Sequence, residues 1–288
     1  SNQHHSHWAW VDASMQAALS CFVLGRMAQQ LGQTEFLPEL EDEHQRLINL
    51  INEQMWSDEL NFYVDVGPNG RFSRVKSVGA YWGLLDEQLV PEKRRARFVQ
   101  HLRDTWSFNM PHRIPSQAAD SEGYNAMSGN YWRGAVWPTA NYMVLAGLRT
   151  VGQMRLGHDI AVNHLENIAT VFEETQTFWE NYAPERAAPG EPAQHNFVGT
   201  SGLSPIAILL EDVIGVTVDW PLKRVTWCRY LDTTETYGVR NYPLGQEGVL
   251  HLTGDSAQVI VDTDTPFTLL VRDRIQTLQT AVPRGRTV

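Results

Sequence analysis

Two short stretches hold the residue types that could act on a polar substrate. In the first, Tyr131-Trp132-Arg133 sits in a glycine-broken loop and runs through Gly134 and Trp137 into Pro138. Flat aromatic faces stack on the apolar faces of sugar rings, and a guanidinium fork donates paired hydrogen bonds to vicinal oxygens. The same residues could instead pack as an aromatic loop, so residue type alone leaves two readings, a sugar or polyol site and a structural strip. In the second stretch, Phe178-Trp179-Glu180-Asn181-Tyr182-Ala183-Pro184-Glu185 follows a helical pattern. A carboxylate flanked by Trp179 and Tyr182 at a helix-to-loop junction suits a general base. Hydrolysis of a glycosidic bond with inversion needs such a base to activate water and a second acid opposite it. The plainer reading of Glu180 is a cap or an ion pair. Glu185, beyond Pro184 and beside Arg186, reads as a surface ion pair.

Helices must position both stretches. Val11, Met15, Ala18, Leu19, Phe22, Met27 and Leu31 fall at helical spacing, with Gly32 as a stop. Leu37, Leu40, Leu47, Ile48, Ile51 and Met55 predict a second helix over 35–56, antiparallel to the first. Further helices are expected at 78–88, 91–104, 138–151, 158–178 and 203–214, the fifth of the chain opening at Pro138, where a missing N–H costs nothing. Gly67-Pro68-Asn69-Gly70 predicts a small hairpin between Phe62–Val64 and Phe72–Val75. From Val216 the period changes to two, with short strands expected at 225–227, 237–241, 248–252, 258–262 and 267–271. Helix pairs with their functional loops at one end describe a toroid of helical hairpins better than a simple bundle.

Composition narrows the partners. A net charge of −10 argues against nucleic acid, whose binding leans on basic patches. No apolar run reaches the roughly 18 residues of a spanning helix, so no membrane partner is expected. Ten tryptophans fit carbohydrate contact and thick helix packing equally. The two cysteines, Cys21 and Cys228, lie in apolar and strand-like contexts and read as buried thiols, not a disulfide. No signal-peptide pattern opens the sequence and no Met precedes Ser1, so this terminus identifies no compartment.

Taken together, the motifs resemble a known family. YWRGAVWPTANYMVLAGL (131–148) is similar to the Tyr-Trp-Arg-Gly-x-Val-Trp-x-x-x-Asn-Tyr signature of glycoside hydrolase family 63 and its mannosylglycerate-hydrolase-like bacterial relatives, with a looser version in trehalases. FWENYAPE, PGEPAQHNFVGTSGLSPI, HWAWVDASMQAALS, PHRIPSQAAD and VKSVGAYWGLL resemble the same family in the same order, over most of residues 7–215. The resemblance implies a mainly α fold, an (α/α)6 barrel or six-hairpin toroid, incomplete here, over residues 1–215, with a small antiparallel β appendage over 216–288. It implies an inverting glycosidase acting on an α-linked glucoside or mannoside, with no cofactor and no metal. Glu180 matches the general base, and Trp132 and Arg133 match the strip that grips the sugar. Tyr131, Trp137, His112, Tyr81, Trp82, Trp179 and Tyr182 are expected on the walls of the same site. Each also has a structural reading: Tyr81 and Trp82 begin a helix and could only pack, and His112 could only orient its loop.

Two departures stand out. Phe197-Val198-Gly199-Thr200-Ser201-Gly202 lacks the tryptophan the family commonly carries there. The family's acid, in a Ser-Gly-x-Asp motif ahead of the segment resembling HWAWVDAS, has no counterpart in these residues. Asp12 and Asp120 are the alternatives within the chain. Asp12 also reads as a helix-start cap. The chain therefore reads as the C-terminal part of the enzyme, with the acid and the rest of the barrel supplied by sequence upstream or by a second chain. The competing class is a non-catalytic carbohydrate-binding or scaffold protein on the same fold. Another barrel activity, a phosphorylase or a polysaccharide lyase, is a further alternative.

Overall fold

The computed structural model describes residues 7–246 and 248–288. Chain packing divides it into two compact units. One holds the residues up to Gln153 together with Asn163–Gly202, and the other holds Met154–Val162 with Leu203–Val288.

The first unit is helical. Helix α1 (Val11–Leu31) and α2 (Leu37–Gln54) form an antiparallel pair joined by a tight turn, with Gly32 at φ 70° ending α1 as the sequence expects. The 3-10 helix Val78–Leu85 packs against α1 and against α4 (Pro138–Thr150), while α3 (Glu92–Gln100) lies between them in sequence. Helix α5 spans Met154–Thr175, and its part from Asn163 onward belongs to this unit. An aromatic core holds the lower part of this unit. Phe62 touches Tyr81, Phe98 and Phe108 with ring centroids 5.6, 4.9 and 5.7 Å away, and Tyr81 stacks on Phe98 at 4.6 Å. Burying such rings is worth about 1.5–3 kcal/mol each. Among the described residues no helix is long and apolar enough to cross a membrane, and no disulfide forms.

Three expectations change here. Phe62 does not pair across the Gly67–Gly70 turn. Strand β2 (Phe62–Tyr63) pairs instead with β1 (Trp56–Ser57), and only Val66 bridges Phe72. Met27 and Leu31, expected on the packed face of α1, are 52% and 72% exposed. Tyr81, expected to face a ligand, is wholly buried, because its phenol reaches the Phe98 carbonyl at 3.3 Å and so tolerates the core.

The second unit is a sandwich of two four-stranded sheets. One runs in the order β10-β7-β6-β5 and the other β3-β4-β8-β9. These strands are β3 (Val216–Asp219), β4 (Arg224–Cys228), β5 (Tyr237–Leu244), β6 (Gly248–Gly254), β7 (Val259–Thr263), β8 (Phe267–Arg272), β9 (Thr277–Val282) and β10 (Gly285–Thr287). The sheet region is not uniformly antiparallel: β4 and β8 run parallel, Val225 opposite Leu269. Between them the chain makes the β5-β6-β7 meander of the other sheet and returns in its original direction. The core centres on Trp227, fully buried, whose indole N–H donates to the Ile214 carbonyl at 3.0 Å. Ile214 ends a wide, π-type helix, Ser204–Ile214, that belongs to this unit.

Candidate functional site

The site grows from loops in the helical unit that are laced together one rung at a time. Ser77 bridges Gln117, Pro115 bridges Val136, Val136 bridges Tyr182, and Tyr182 bridges Pro189. The central rung is a reciprocal pair. Val136 N–H donates to the Tyr182 carbonyl at 2.8 Å and Tyr182 N–H donates back at 2.9 Å. This rung sets the Tyr131–Trp137 strip directly beside the Phe178–Tyr182 strip. Asn141, fully buried on α4, pins the neighbouring loop by accepting from Ile114 N–H at 3.0 Å and donating to the Ile114 and Trp137 carbonyls.

The aromatic strip is built to present a face. Trp132 and Trp137 stack at 4.2 Å and 3°, and the Tyr131 ring stands edge-on to both. Trp137 is 8% exposed and forms the floor, while Trp132 is 51% exposed and forms the platform. Tyr131 sits at φ 64°, a left-handed conformation costly for an aromatic residue. The turn that imposes it is fixed by glycines. A Cβ on Gly129 (φ 75°) would meet the Ala135 backbone at 2.2 Å, and one on Gly134 (φ 132°) would meet the Tyr124 ring at 2.7 Å. Arg133 is half-buried, its N–H donating to the Gly129 carbonyl and its carbonyl accepting from Asn125.

Trp132 faces a cleft of about 410 Å³ whose other walls include Trp10, Asp12, Asp65, Trp82 and Met143. Asp65 accepts the Val11 N–H at 2.8 Å and so caps the start of α1, while Asp12 lies against Gly79 in the first turn. Two carboxylates and three indoles in one cleft offer hydroxyl acceptors beside stacking surfaces. Trp10 and Asp65 were not singled out from sequence. Trp10 stands in the HWAW segment, but nothing in the sequence around Asp65 marks it as more than the residue before a turn.

Glu180 stands on the adjacent strip. It is half-buried, its N–H donates to the Gln194 carbonyl at 2.9 Å, and its carboxylate accepts the Gln194 N–H at 3.4 Å. It does not line the Trp132 cleft. Trp179 is half-buried beside it, with its indole N–H on the Thr175 hydroxyl at 3.1 Å. The exposed Glu185 faces the Tyr124 phenol, whose pKa is driven up first by burial and then by that carboxylate.

Two more expected wall residues are corrected by their burial. Tyr182 is fully buried, its phenolic oxygen accepting the Trp179 N–H at 3.1 Å, and burial raises its pKa. His112 is fully buried beneath Tyr182, 3.0 Å from His164, and its pKa falls well below the usual histidine value, chiefly from burial and then from His164. His164 itself is pushed down to about 4 by burial. Both support the rung from below and reach no cleft. Asp120, an alternative acid, is paired with the ammonium of buried Lys76 at 2.6 Å and is absent from the walls of the Trp132 cleft.

The model of the mannosylglycerate hydrolase MGH1-like glycoside hydrolase domain matches residues 2–198. A protein of Borreliella burgdorferi is 23% identical over 245 residues, covering 81% of this chain and 51% of that protein. Mannosylglycerate hydrolase of Rubrobacter radiotolerans is 24% identical over 164 residues, covering 56% of this chain and 35% of the enzyme. Among solved structures, the family 63 mannosylglycerate hydrolase of Thermus thermophilus in complex with glucose superposes with a TM-score of 0.57 at 22% identity, over 68% of this chain and 44% of that one. Neutral trehalase of Saccharomyces cerevisiae gives 0.57 at 14% identity, over 70% and 38%. The chain thus shares the fold of glycosidases of the (α/α)-barrel type, and it spans about half or less of the length of the relatives it matches.

Proposed function

The chain belongs to the mannosylglycerate hydrolase MGH1-like glycoside hydrolase family, and we propose that it carries the base-bearing part of an inverting glycosidase acting on an α-linked glucoside or mannoside. The observation that carries this reading is the reciprocal Val136–Tyr182 rung, which sets an indole platform and the Glu180 carboxylate on neighbouring strips. In this reading the sugar stacks on Trp132, with Tyr131, Arg133, Trp82 and the cleft carboxylates taking its hydroxyls. Glu180 withdraws a proton from a water as that water attacks the anomeric carbon. The leaving oxygen takes a proton from an acid outside the described residues, about 6.5–9.5 Å from Glu180, the separation that leaves room for the water. The same polypeptide or a partner supplying the rest of the barrel would carry that acid, in keeping with relatives about twice as long as the matched part. The helical unit is then catalytic, and the strands from 216 form an appendage together with the Ser204–Ile214 helix, whose Leu210 and Ile214 pack on its core.

The test is hydrolysis of aryl and natural α-mannosides and α-glucosides by the polypeptide as the gene encodes it, with the first-formed anomer read by proton NMR. The β anomer appearing first is expected, and the α anomer appearing first contradicts inversion. One observation favours a second reading, a sugar-binding or scaffold protein: Glu180 does not line the cleft that holds Trp132, Asp12 and Asp65. Sugar binding by calorimetry without turnover in any of these substrates would select it.

A further inference from the structure

Helix α1 carries an apolar stripe on its outer side as well as a buried inner face. Of its 21 residues only Asp12 and Arg26 carry charge, whereas α2 turns Glu39, Glu41, Asp42, Arg46 and Glu53 to solvent. The inner face of α1, Val11, Met15, Ala18 and Ala28, is buried within the helical unit, against α2 and the 3-10 helix. The opposite face carries Ala13, Ala17, Ser20, Leu24, Met27 and Leu31, spaced four, three, four, three and four residues apart and all exposed. That alternation is the seam spacing of one helix packed along another. Leu24, Met27 and Leu31 are 49%, 52% and 72% exposed, and Val23 beside them is 43% exposed. Gln16, Arg26, Gln29 and Gln30, also exposed, lie off this stripe and border it. Contiguous large apolar side chains bordered by polar residues mark an interaction face.

We propose that this seam is where a further helix of the same barrel seats, one belonging to polypeptide outside residues 1–288. The proposal rests on the reading of the chain as part of a longer barrel. It is carried by the seam itself and by the length of the relatives, of which the chain covers 51% or less. The seam also describes its occupant. Its small residues, Ala13, Ala17 and Ser20, lie at the end that carries the cleft residues Val11 and Asp12, and its large ones at the far end. The incoming helix therefore approaches α1 most closely beside the cleft, bringing its own larger side chains there, and its smaller ones toward Leu31. It would be apolar and uncharged along the contact, since α1 offers no charge on this face.

The test is thiol accessibility in a Cys21→Ser, Cys228→Ser background. Met27→Cys probes the seam, Asp42→Cys on the exposed side of α2 sets the unprotected rate, and Val144→Cys, fully buried on α4, sets the protected one. Each is labelled with N-ethylmaleimide in the polypeptide as the gene encodes it and in residues 1–288 alone. The proposal expects Met27→Cys to react on the order of 100-fold more slowly than Asp42→Cys in the encoded polypeptide, and at the Asp42→Cys rate in residues 1–288, where Val144→Cys stays protected. Labelling of Met27→Cys at the Asp42→Cys rate in the encoded polypeptide overturns it, whatever residues 1–288 do alone. Protection in residues 1–288 accompanied by twice the mass in light scattering also overturns it, since the occupant is then a second copy. Glycosidase activity is read separately, so failure of the seam and failure of the hydrolase reading are told apart.

Discussion

The two strips joined at the Val136–Tyr182 rung use aromatic residues in opposite ways. The Tyr131–Trp137 strip spends a strained turn, two tight glycines and a stacked indole floor to hold Trp132 out to solvent. The Phe178–Tyr182 strip turns its tyrosine inward, onto His112 and the Trp179 N–H, and leaves a carboxylate outward. One strip is a surface with a rigid support, and the other is a support with a functional group on it. Substitutions should therefore separate binding from stability strip by strip.

The sharpest break is expected at Gly129. Gly129→Ala forces a side chain into the Ala135 backbone at a left-handed position and should cost about 3 kcal/mol or more, read as a large fall in denaturation midpoint. Next, Trp132→Ala should leave that midpoint nearly unchanged while weakening sugar binding on the order of 30-fold, about 2 kcal/mol, by calorimetry. Equal losses of stability and binding would erase the distinction between the strips. Acid should act on the buried side first. His112 and His164 are held neutral in the fold, with pKa values below the usual 6.5 and His164 at about 4, so below 6.5 the unfolded chain takes up protons that the fold refuses. Stability should fall as pH drops below about 6.5, and continue to fall to about 4 and beyond as the buried pair is held neutral. His164→Gln should flatten that slope in denaturant titrations across the window. The smallest effect is expected from Tyr182→Phe, which strips the Trp179 N–H of its acceptor and should cost about 1 kcal/mol without touching sugar affinity.

Much of the helical framework was legible because its signals are local. Gly32 and Pro138 mark a helix end and a helix start, and the Tyr131-Trp132-Arg133 run announces an unusual surface. What sequence could not distinguish was an aromatic residue meant for the cleft from one meant for the core. Tyr81, Tyr182 and His112 each find a buried polar partner, the Phe98 carbonyl, the Trp179 N–H and His164, and such partners come from residues 3 to 52 positions away. The β region hid its edges for a related reason. Strand β9 is exposed through Thr277–Ala281, so no alternation of apolar residues marks it. The parallel β4–β8 ladder depends on where the intervening meander goes, which no window of sequence records.

The central claim is that Glu180 activates water on the strip beside the Trp132 platform. It is tested most directly by Glu180→Gln in the polypeptide as the gene encodes it, with kcat, KM and thermal stability measured on the best α-mannoside or α-glucoside found. The account predicts a fall in kcat on the order of 10²–10⁴-fold, with KM and the unfolding temperature little changed, because a half-exposed carboxylate holding one long backbone contact contributes little to the fold. Near-full kcat in Glu180→Gln would contradict it and move the search for the base to Asp12 and Asp65 in the cleft.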